Sequence, residues 1–404
     1  MTGEPSPLSN TPLRVALFSG NYNYVMDGPV RALNKLVGHL EKRGHEALVF
    51  APTSRDSYLP HEGTLVSLPS ISAPRRPEYR IGMGLNGDAK RKLEAFNPTL
   101  IHISAPDLGG LGALRYGRRN GIPVVASFHT RFDTYPRYYG LGWAEGLLTR
   151  YMRYFYARCE HVYPPSQSMA DELLREGIGK EMRLWTRGVE SALFDPAKRD
   201  MEWRRSLGFN DDDVVVVFVG RLVLEKGIEH FARSISAART EAPSLRALVV
   251  GGGPEKERFG KLAPDAVFLG HQAGEDLARA YASSDIFFNP SITETFGQVT
   301  LEAMASGVPA LCANAAGSLS LVDHGVTGFI SEPDVDGFAA RLSELAASPS
   351  LRAAMSEAGR RKALTYSWEA ILDELIDNYR DAMAAYHHDT DRRSRSDNAY
   401  SEAA

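Results

Sequence analysis

Residues 214–231, VVVVFVGRLVLEKGIEHF, contain the pattern that decides the fold. The first six form a continuous apolar run, which is typical of a parallel strand buried on both faces. Gly220 ends the run, and a helix is predicted to begin at Gly227. Arg221 and Lys226 lie between these glycines, so two cations follow the carboxyl end of a strand and precede a helix. This position suits a diphosphate, although either cation alone would suit an ordinary surface.

A second informative stretch is residues 291–309, SITETFGQVTLEAMASGVP. Phe296-Gly297 is predicted to form a turn, and good helix formers follow from Gln298 to Ser306. Glu294 therefore precedes the helix, and Glu302 lies just over one turn inside it. Backbone N–H groups at a helix start favour a phosphate, and the second acid can accept from vicinal hydroxyls. Two isolated glutamates would favour a plain solvated helix, but the paired cations upstream favour a nucleotide-sugar site.

Short apolar runs alternate with helical patterns along the chain, which predicts an α/β protein with parallel sheets and crossover helices. The strands predicted in the first half are Val15–Phe18, Ala47–Phe50, Leu100–Ile103, Val124–Ser127 and His161–Tyr163. Those predicted in the second half are Val214–Val219, Ala247–Val250, Val267–Leu269, Ile286–Asn289 and Ala310–Ala313. A chain of 404 residues with 43% apolar content fits two doubly wound domains, with ligands expected in the cleft at the strand carboxyl ends.

Together these motifs resemble the retaining glycosyltransferases of family 4 (GT4), which have the GT-B fold of two Rossmann-like domains facing a central cleft. The resemblance covers nearly the whole chain. Residues 15–52 are similar to the family's opening strand, glycine loop, helix and second strand. Other matching segments are SFHTRFDTY at 127–135, PPSQSMADEL at 164–173, VVGGGPEKE at 249–257 and GVTGFISEPDV at 325–335. SFHTRFDTYPRYYG most resembles the branch of sulfoquinovosyl-, mannosyl- and glucosyl-diacylglycerol synthases.

The resemblance implies a role for each site residue on the second domain. Arg221 and Lys226 would stabilise the diphosphate of a UDP- or GDP-sugar donor. Glu294 would hold the sugar hydroxyls and Glu302 the ribose, while the turn at Phe296-Gly297 would offer backbone donors. The nucleotide sugar is then a co-substrate, and no separate cofactor is expected.

On the first domain, the resemblance implies that His129 contacts the transferred sugar and supports positive charge at the anomeric carbon. Many relatives have a paired glycine in the first loop, whereas this chain has Asp27-Gly28-Pro29 and only Gly28 for a close backbone approach to the donor. The implied reaction is hexose transfer with retention, in which the acceptor attacks from the leaving-group face and a phosphate oxygen takes its proton. The expected acceptor is a diacylglycerol-type lipid, with a soluble sugar or polysaccharide primer as the alternative.

Five segments are expected from the resemblance and the linker-like composition of residues 188–202. They are a flexible leader at 1–13, an acceptor-side domain at 14–190, a donor-binding domain at 191–367, a helix returning to the first domain at 368–386, and a disordered tail at 387–404. The leader lacks the charged and apolar regions of a signal peptide. Cys159 and Cys312 are predicted to be reduced and buried, as in a cytoplasmic protein.

Charge is unevenly distributed between the halves of the chain. Residues 1–195 contain 24 Lys and Arg against 19 Asp and Glu, a net +5, and the remainder has 22 against 31, a net −9. Residues 139–161 interleave aromatic and aliphatic side chains with Arg150, Arg153 and Arg158. Such a segment suits the anionic inner face of a membrane, or equally a core-facing helix with a basic outer side. Nucleic acid is a poor alternative as a partner, because no recognised nucleic-acid-binding module accompanies the basic residues of the first half.

Two acidic clusters, Asp211-Asp212-Asp213 and Asp389-Thr390-Asp391, are interpreted as solvated charge, and no metal site is predicted. Without a metal, the cations and the helix dipoles would neutralise the leaving diphosphate. A catalytically silent sugar-nucleotide binder on the same fold is the alternative from another class. The presence of Arg221, Lys226, Glu294 and His129 together favours the enzyme.

Overall fold

A computed structural model describes residues 11–25, 28–54, 59–73, 76–129, 143 and 145–402. Several sequence predictions concern positions outside these ranges. They are the first ten residues of the leader, Asp27 of the first loop, and residues 130–142, which follow His129 and include the start of the basic–aromatic segment.

Contacts between Cα atoms divide the chain into two compact units. The first comprises Met1–Pro165, Ala170–Trp185 and Glu369–Ala404, and the second comprises Ser166–Met169 and Thr186–Trp368. The chain passes from the first unit to the second after Trp185, a few residues before the boundary predicted from the sequence at residue 190.

The first unit contains a six-stranded parallel sheet whose strand order is β3-β2-β1-β6-β7-β8. Strands β4 and β5 form a separate antiparallel hairpin. The strand bounds are β1 Arg14–Phe18, β2 Glu46–Pro52, β3 Thr64–Leu68, β4 Ser70–Ala73, β5 Arg76–Gly82, β6 Leu100–Ile103, β7 Val124–Ser127 and β8 Val162–Tyr163. This order reverses direction between β1 and β6, as in doubly wound dinucleotide-binding folds.

The second unit repeats the arrangement with a parallel sheet in the order β11-β10-β9-β12-β13-β14. Its strands are β9 Val214–Val219, β10 Leu245–Val250, β11 Val267–Gly270, β12 Ile286–Asn289, β13 Ala310–Ala313 and β14 Gly328–Ser331. Here the order reverses between β9 and β12. The two sheets confirm the predicted α/β class with two doubly wound domains.

Alternate residues of β9 explain why this strand reads as an unbroken apolar run. Val214, Val216 and Phe218 belong to the hydrophobic cluster on one face of the sheet, and Val215 and Val217 belong to the cluster on the other face. Successive side chains of a strand point to opposite faces, so helices covering both faces require apolar residues at every position. Each such side chain contributes about 1.5–3 kcal/mol when fully buried.

Helices connect the strands and cover both sheets. In the first unit and at its boundary they are α1 Gly28–Lys42, α2 Gly87–Phe96, α3 Leu108–Arg119, α4 Glu145–Tyr156 and α5 Gln167–Arg175. In the second unit they are α6 Met201–Ser206, α7 Ile228–Ala238, α8 Lys256–Leu262, α9 Gly274–Ala282, α10 Gln298–Ala305, α11 Ala316–Leu321, α12 Val335–Ala347 and α13 Pro349–Ala363. Short 3₁₀ turns span Pro196–Lys198 and Leu224–Lys226.

The last helix, α14, runs from Trp368 to Glu402, so the prediction of disorder from His387 is wrong for most of the tail. Residues 368–402 contain neither Gly nor Pro, and nothing in the sequence therefore interrupts the hydrogen-bond ladder once the packed part of α14 has formed. Contacts assign this helix from Glu369 onward to the first unit.

Both cysteines are buried and neither forms a disulfide. Burial raises the pKa of the Cys312 thiol to about 12, and it also raises the pKa of Cys159. Both are therefore neutral packing groups, consistent with the sequence-based expectation. Among the described residues, no helix is long and apolar enough to cross a membrane.

Candidate active site

The candidate site of the second unit lies where the strand order of its sheet reverses. Strands β9 and β12 are parallel neighbours, and the chain leaves each of them at the same sheet edge. The helix that follows β9 and the helix that follows β12 depart in opposite directions along the sheet, which opens a crevice between the two loops. The predicted cations follow β9, and the predicted acids follow β12.

Lys226 and Glu294 meet at this crevice. Lys226 Nζ lies 2.5 Å from Glu294 Oε1, and the two side chains are 29% and 12% exposed. The sequence predicted both residues as site residues but not their ion pair, because they are far apart along the chain. Their contact places a flexible cation and a carboxylate acceptor side by side, at a position where a phosphate and a sugar hydroxyl could be bound together.

Further contacts hold the two loops together behind this ion pair. The Ser291 and Thr293 hydroxyls both donate to the carbonyl oxygen of Glu225, over 3.3 and 3.4 Å. Gly227 has a φ of +72°, and a Cβ there would lie 2.8 Å from the Pro290 carbonyl oxygen. Only glycine fits that conformation and that close approach without strain. The position of Lys226 is therefore set by backbone packing as well as by charge.

Arg221 is the second residue after strand β9, in a loop that packs against the glycine-rich turn after β10. The Leu222 amide donates to the carbonyl oxygen of Gly252 over 3.0 Å. A Cβ at Gly251 would lie 1.8 Å from the Gly220 carbonyl oxygen. The predicted match of VVGGGPEKE to a glycine-rich turn thus has a physical basis, because two backbone segments touch at the carboxyl ends of β9 and β10.

Helix α10 begins at Gln298, directly after Gly297 in a left-handed conformation with φ +92°. Its first turn carries no side-chain cap within the described part of the chain, so amide groups at this end are available to an anion. The Phe296 side chain is buried. This residue could therefore offer a donor only its backbone groups.

Two interactions fix the loop before α10. The Gly317 amide donates to the carbonyl oxygen of Glu294 over 2.9 Å, and the Ser166 hydroxyl donates to that of Thr295, also over 2.9 Å. Ser166 belongs to the PPSQSMADEL segment, but sequence reasoning did not assign it to the donor loop. The position of Ser166 directly before a predicted helix was the sequence feature that could have indicated this contact.

Glu302 lies on the buried side of α10. Its carboxylate accepts from the Tyr281 hydroxyl over 3.2 Å and from the Gln298 amide over 3.4 Å. Sequence reasoning missed both partners. Gln298 was identifiable, since residues four apart on a helix are neighbours, whereas Tyr281 comes from α9 and required the tertiary structure. A ribose bound by Glu302 would join this existing set of hydrogen bonds.

In the first unit, the two remaining predicted site residues follow the carboxyl ends of β1 and β7. His129 follows β7 and is buried, and its Nε2 lies 2.7 Å from the Ser127 hydroxyl. Gly28 is the first residue of α1, after the loop that follows β1. A Cβ at Gly28 would meet no atom within 4 Å among the described residues, so the backbone at this helix start is accessible on that side.

The basic–aromatic segment buries one side of its helix and exposes large side chains on the other. Helix α4 buries Met152, Phe155 and Tyr156 in the core, as a core-facing helix should. On the outside, Trp143 and Leu147 are 79% and 66% exposed. The inner side of α4 therefore belongs to the core, whereas residues at and before its first turn expose large apolar groups.

The exposed arginines of α4 complete this outer surface. Arg150 and Arg153 are both exposed, and Arg153 Nε donates to the Glu176 carbonyl oxygen over 2.6 Å. Arg158 lies over the Tyr154 ring, 3.6 Å from its centroid. Hereafter the outer surface of α4 means Leu147, Arg150 and Arg153 of the helix together with Trp143, which lies two residues before it.

The acidic cluster before β9 is only partly solvated, which corrects the sequence interpretation. Asp211 forms an exposed bidentate pair with Arg205, with both N–O distances at 2.8 Å. Asp213 is buried and pairs with Arg246 at 3.0 Å. Its carboxylate also accepts from the Asn210 amide in the preceding turn. Among the described residues, no group of three His, Cys, Asp or Glu side chains is arranged to hold a metal ion.

Comparisons with protein families cover both units. Residues 26–193 match the model "Glycosyltransferase Family 4", and residues 200–362 match "Glycosyl transferases group 1".

Three curated proteins illustrate the relatives that this chain is similar to. The GDP-mannose-dependent alpha-mannosyltransferase of Mycolicibacterium smegmatis is 34% identical, over 91% of this chain and 97% of that protein. The sulfoquinovosyl transferase SQD2 of Arabidopsis thaliana is 30% identical, over 92% and 74%. The alpha-monoglucosyldiacylglycerol synthase of Streptococcus pneumoniae is 24% identical, over 84% and 80%.

Among solved structures, the sucrose-phosphate synthase from Thermosynechococcus elongatus superposes with a TM-score of 0.74 at 20% identity. The match covers 92% of this chain and all of that one. At this level of identity the similarity concerns the fold.

Proposed function

The chain belongs to the family 4 glycosyltransferases and has the GT-B fold, and from this premise we propose that it transfers a hexose, with retention of configuration, to a diacylglycerol-type membrane lipid. That it is a glycosyltransferase using a nucleotide-sugar donor follows from the family and its relatives. The Lys226–Glu294 pair at the switch point of the second sheet carries the proposal. It joins a cation suited to a diphosphate with a carboxylate suited to sugar hydroxyls.

The proposed donor is GDP-mannose. Two relatives that match this chain over more than nine tenths of their own length are named as GDP-mannose-dependent mannosyltransferases. Arg221, Lys226 and the start of α10 would neutralise the diphosphate as the bond between its oxygen and the anomeric carbon breaks. The acceptor oxygen bonds to that carbon on the same face, and its proton passes to the leaving phosphate oxygen.

The remaining site residues bind and orient the donor in this proposal. Glu294 accepts from the hexose hydroxyls, and Glu302 accepts from the ribose. His129 contacts the transferred hexose, and the backbone at Gly28 approaches it closely. No step requires a metal ion, because the charge that develops on the leaving group is met by fixed cations and amides.

The lipid acceptor is supported by the outer surface of α4. A core-facing helix accounts for Met152, Phe155 and Tyr156, but it does not account for the exposure of Trp143 and Leu147. An aromatic side chain beside arginines is a typical membrane-interface arrangement, in which each cation near an anionic surface contributes about 1 kcal/mol. The S. pneumoniae relative, by its name, makes a diacylglycerol glycolipid. The proposed location is peripheral, on the inner face of the membrane.

The test is a donor and acceptor screen with products identified by mass. GDP-mannose, UDP-glucose and other nucleotide sugars are each offered with diacylglycerol lipid in anionic vesicles, and in parallel with soluble sugars. We expect a hexosylated lipid from GDP-mannose, and the anomeric configuration of the product, read by NMR, gives the stereochemistry. Efficient hexosylation of a soluble sugar with no lipid product would refute the lipid acceptor, and an inverted anomeric centre would refute retention.

A further inference from the structure

A chain of buried hydrogen bonds leads from the last helix to His129. The Tyr379 hydroxyl on α14 contacts His102 Nδ1. His102 Nε2 lies 3.0 Å from the Ser127 hydroxyl, which in turn lies 2.7 Å from His129 Nε2. All four residues belong to the first unit, and Tyr379, His102 and Ser127 have no measurable exposure.

Only two proton arrangements satisfy this chain. The Ser127 hydroxyl has one proton, so it donates to one imidazole and accepts from the other. In the first arrangement every donor points toward His129, and its Nε2 accepts. In the second every donor points toward Tyr379, and His129 Nε2 carries the proton.

Tyr379 distinguishes the two arrangements. Within the described part of the chain, its hydroxyl has a single hydrogen-bond partner, His102 Nδ1. If His102 donated to it, the phenolic proton would be buried without an acceptor, and such an unsatisfied donor is strongly unfavourable. Burial raises the pKa of Tyr379 well above its ordinary value, so the phenol keeps its proton and donates it.

We propose that Tyr379, His102 and Ser127 form a one-directional relay that fixes His129 as the tautomer protonated at Nδ1, with Nε2 as an acceptor. This inference rests on the proposed role of His129 at the transferred hexose. The three residues are positioning residues, since they act through His129. The relay links the C-terminal helix to the site, and sequence reasoning assigned no functional role to any of the three.

The aromatic surroundings hold both imidazole rings in place. Trp185 packs edge-on against His102 and His129, with centroids 5.6 and 5.5 Å away. Tyr163 is another titratable neighbour of His102, and its ring centroid lies 6.0 Å away. The Tyr163 hydroxyl bonds instead to His161 Nδ1 at 3.3 Å, so it stands outside the relay although it is equally buried.

That difference makes Tyr163→Phe the matched control for Tyr379→Phe. Each variant removes one hydroxyl from a buried ring in the same cluster, and only the second interrupts the relay. Ser127→Ala breaks the relay at its centre, and Ser127→Thr restores a hydroxyl there. The full chain is labelled with ¹⁵N-histidine, and His129→Gln identifies the His129 signals.

The expected signature is the tautomer of His129, read from its ring nitrogen shifts. The wild type and Tyr163→Phe should show protonation at Nδ1, whereas Tyr379→Phe and Ser127→Ala should show a shift toward protonation at Nε2. Ser127→Thr should return the wild-type pattern. A wild-type His129 protonated at Nε2, or a Tyr379→Phe spectrum identical to that of the wild type, would overturn the relay.

Kinetics separate this inference from the proposed function. Tyr379→Phe should lower kcat by at least about tenfold with little change in the donor KM, because a wrong histidine tautomer costs up to ~10⁴-fold in a catalytic triad. If the tautomer changes while kcat does not, the relay stands and the proposed role of His129 in transfer is wrong.

Discussion

Removing Lys226 should damage both the reaction and the stability of the second unit. A lysine that only lined an open cleft could be removed with little effect on folding. Lys226 is different, because its Nζ lies 2.5 Å from a Glu294 carboxylate that is only 12% exposed. Lys226→Ala therefore removes a proposed phosphate ligand and also leaves a largely buried carboxylate without its cation.

The size of the stability effect follows from the burial of the pair. Two unit charges about 3 Å apart attract by roughly 5 kcal/mol at an effective dielectric constant of about 20, and desolvation offsets most of that. Exposed ion pairs contribute about 0.2–1 kcal/mol, and breaking a buried one costs about 3–5 kcal/mol. For this partly buried pair we expect Lys226→Ala to lower the free energy of unfolding by about 1–3 kcal/mol.

The loss of activity in Lys226→Ala should be larger than its loss of stability alone would cause. We expect kcat to fall by about 10²-fold, which corresponds to about 3 kcal/mol of lost leaving-group stabilisation. Glu294→Gln, and the double variant that combines it with Lys226→Ala, complete a double-mutant cycle. If the two residues act as a pair, the double variant loses less stability than the sum of the single losses.

Lys362→Ala is the control for the loss of a lysine ion pair in the same unit. Lys362 Nζ lies 2.8 Å from Asp323 Oδ1, and Asp323 precedes β14, at the sheet edge opposite the candidate site. Denaturant unfolding and initial rates with donor in excess are measured for all variants. The control should keep its kcat, and a well-folded Lys226→Ala enzyme with a near-normal kcat would refute the proposed role of Lys226.

Three further predictions follow. Activity should survive excess EDTA, since fixed cations are proposed to neutralise the leaving group, and complete loss restored by Mg²⁺ or Mn²⁺ would contradict this. Reversing Arg150 and Arg153 to Glu should weaken binding to anionic vesicles, as should salt, while donor affinity stays constant; wild-type protein that ignores such vesicles at low salt would count against the membrane surface. Cys159 and Cys312 should resist alkylation at pH 8 in the folded protein and react on unfolding, because burial raises the pKa of both thiols; rapid native labelling would disprove their burial.

Apolar runs predicted the central strands closely, but among the four strands at sheet edges they predicted only β8 and β11. Strands β6, β7, β9, β12 and β13 have the predicted bounds. Each lies inside a sheet, covered by helices on both faces, so its sequence is apolar at almost every position. The missed strands β3, β4, β5 and β14 lie at a sheet edge or in the separate hairpin. Polar side chains or glycine interrupt their sequences, so they read as loops.

The site shows a similar limit. Sequence motifs identified Lys226 and Glu294, because each follows a strand and precedes a helix. Their contact depends on β12 lying beside β9, which is a property of the strand order rather than of either motif. The contacts of Tyr281 with Glu302 and of Tyr379 with His102 could likewise not be predicted from the sequence. Each joins two distant elements, and a tyrosine in an amphipathic helix is typical of packing.

The Lys226–Glu294 pair also bears on how a donor would bind. Each residue is proposed to bind a different part of the donor, yet the two are partners of each other in the structure. A diphosphate alone would draw Lys226 away and leave Glu294, which is largely buried, without compensation. In the proposed complex a complete nucleotide sugar would satisfy both, since its hydroxyls would donate to Glu294 while its phosphates would accept from Lys226. The pair therefore favours the intact donor over the nucleoside diphosphate that remains after transfer, which is the direction that product release requires.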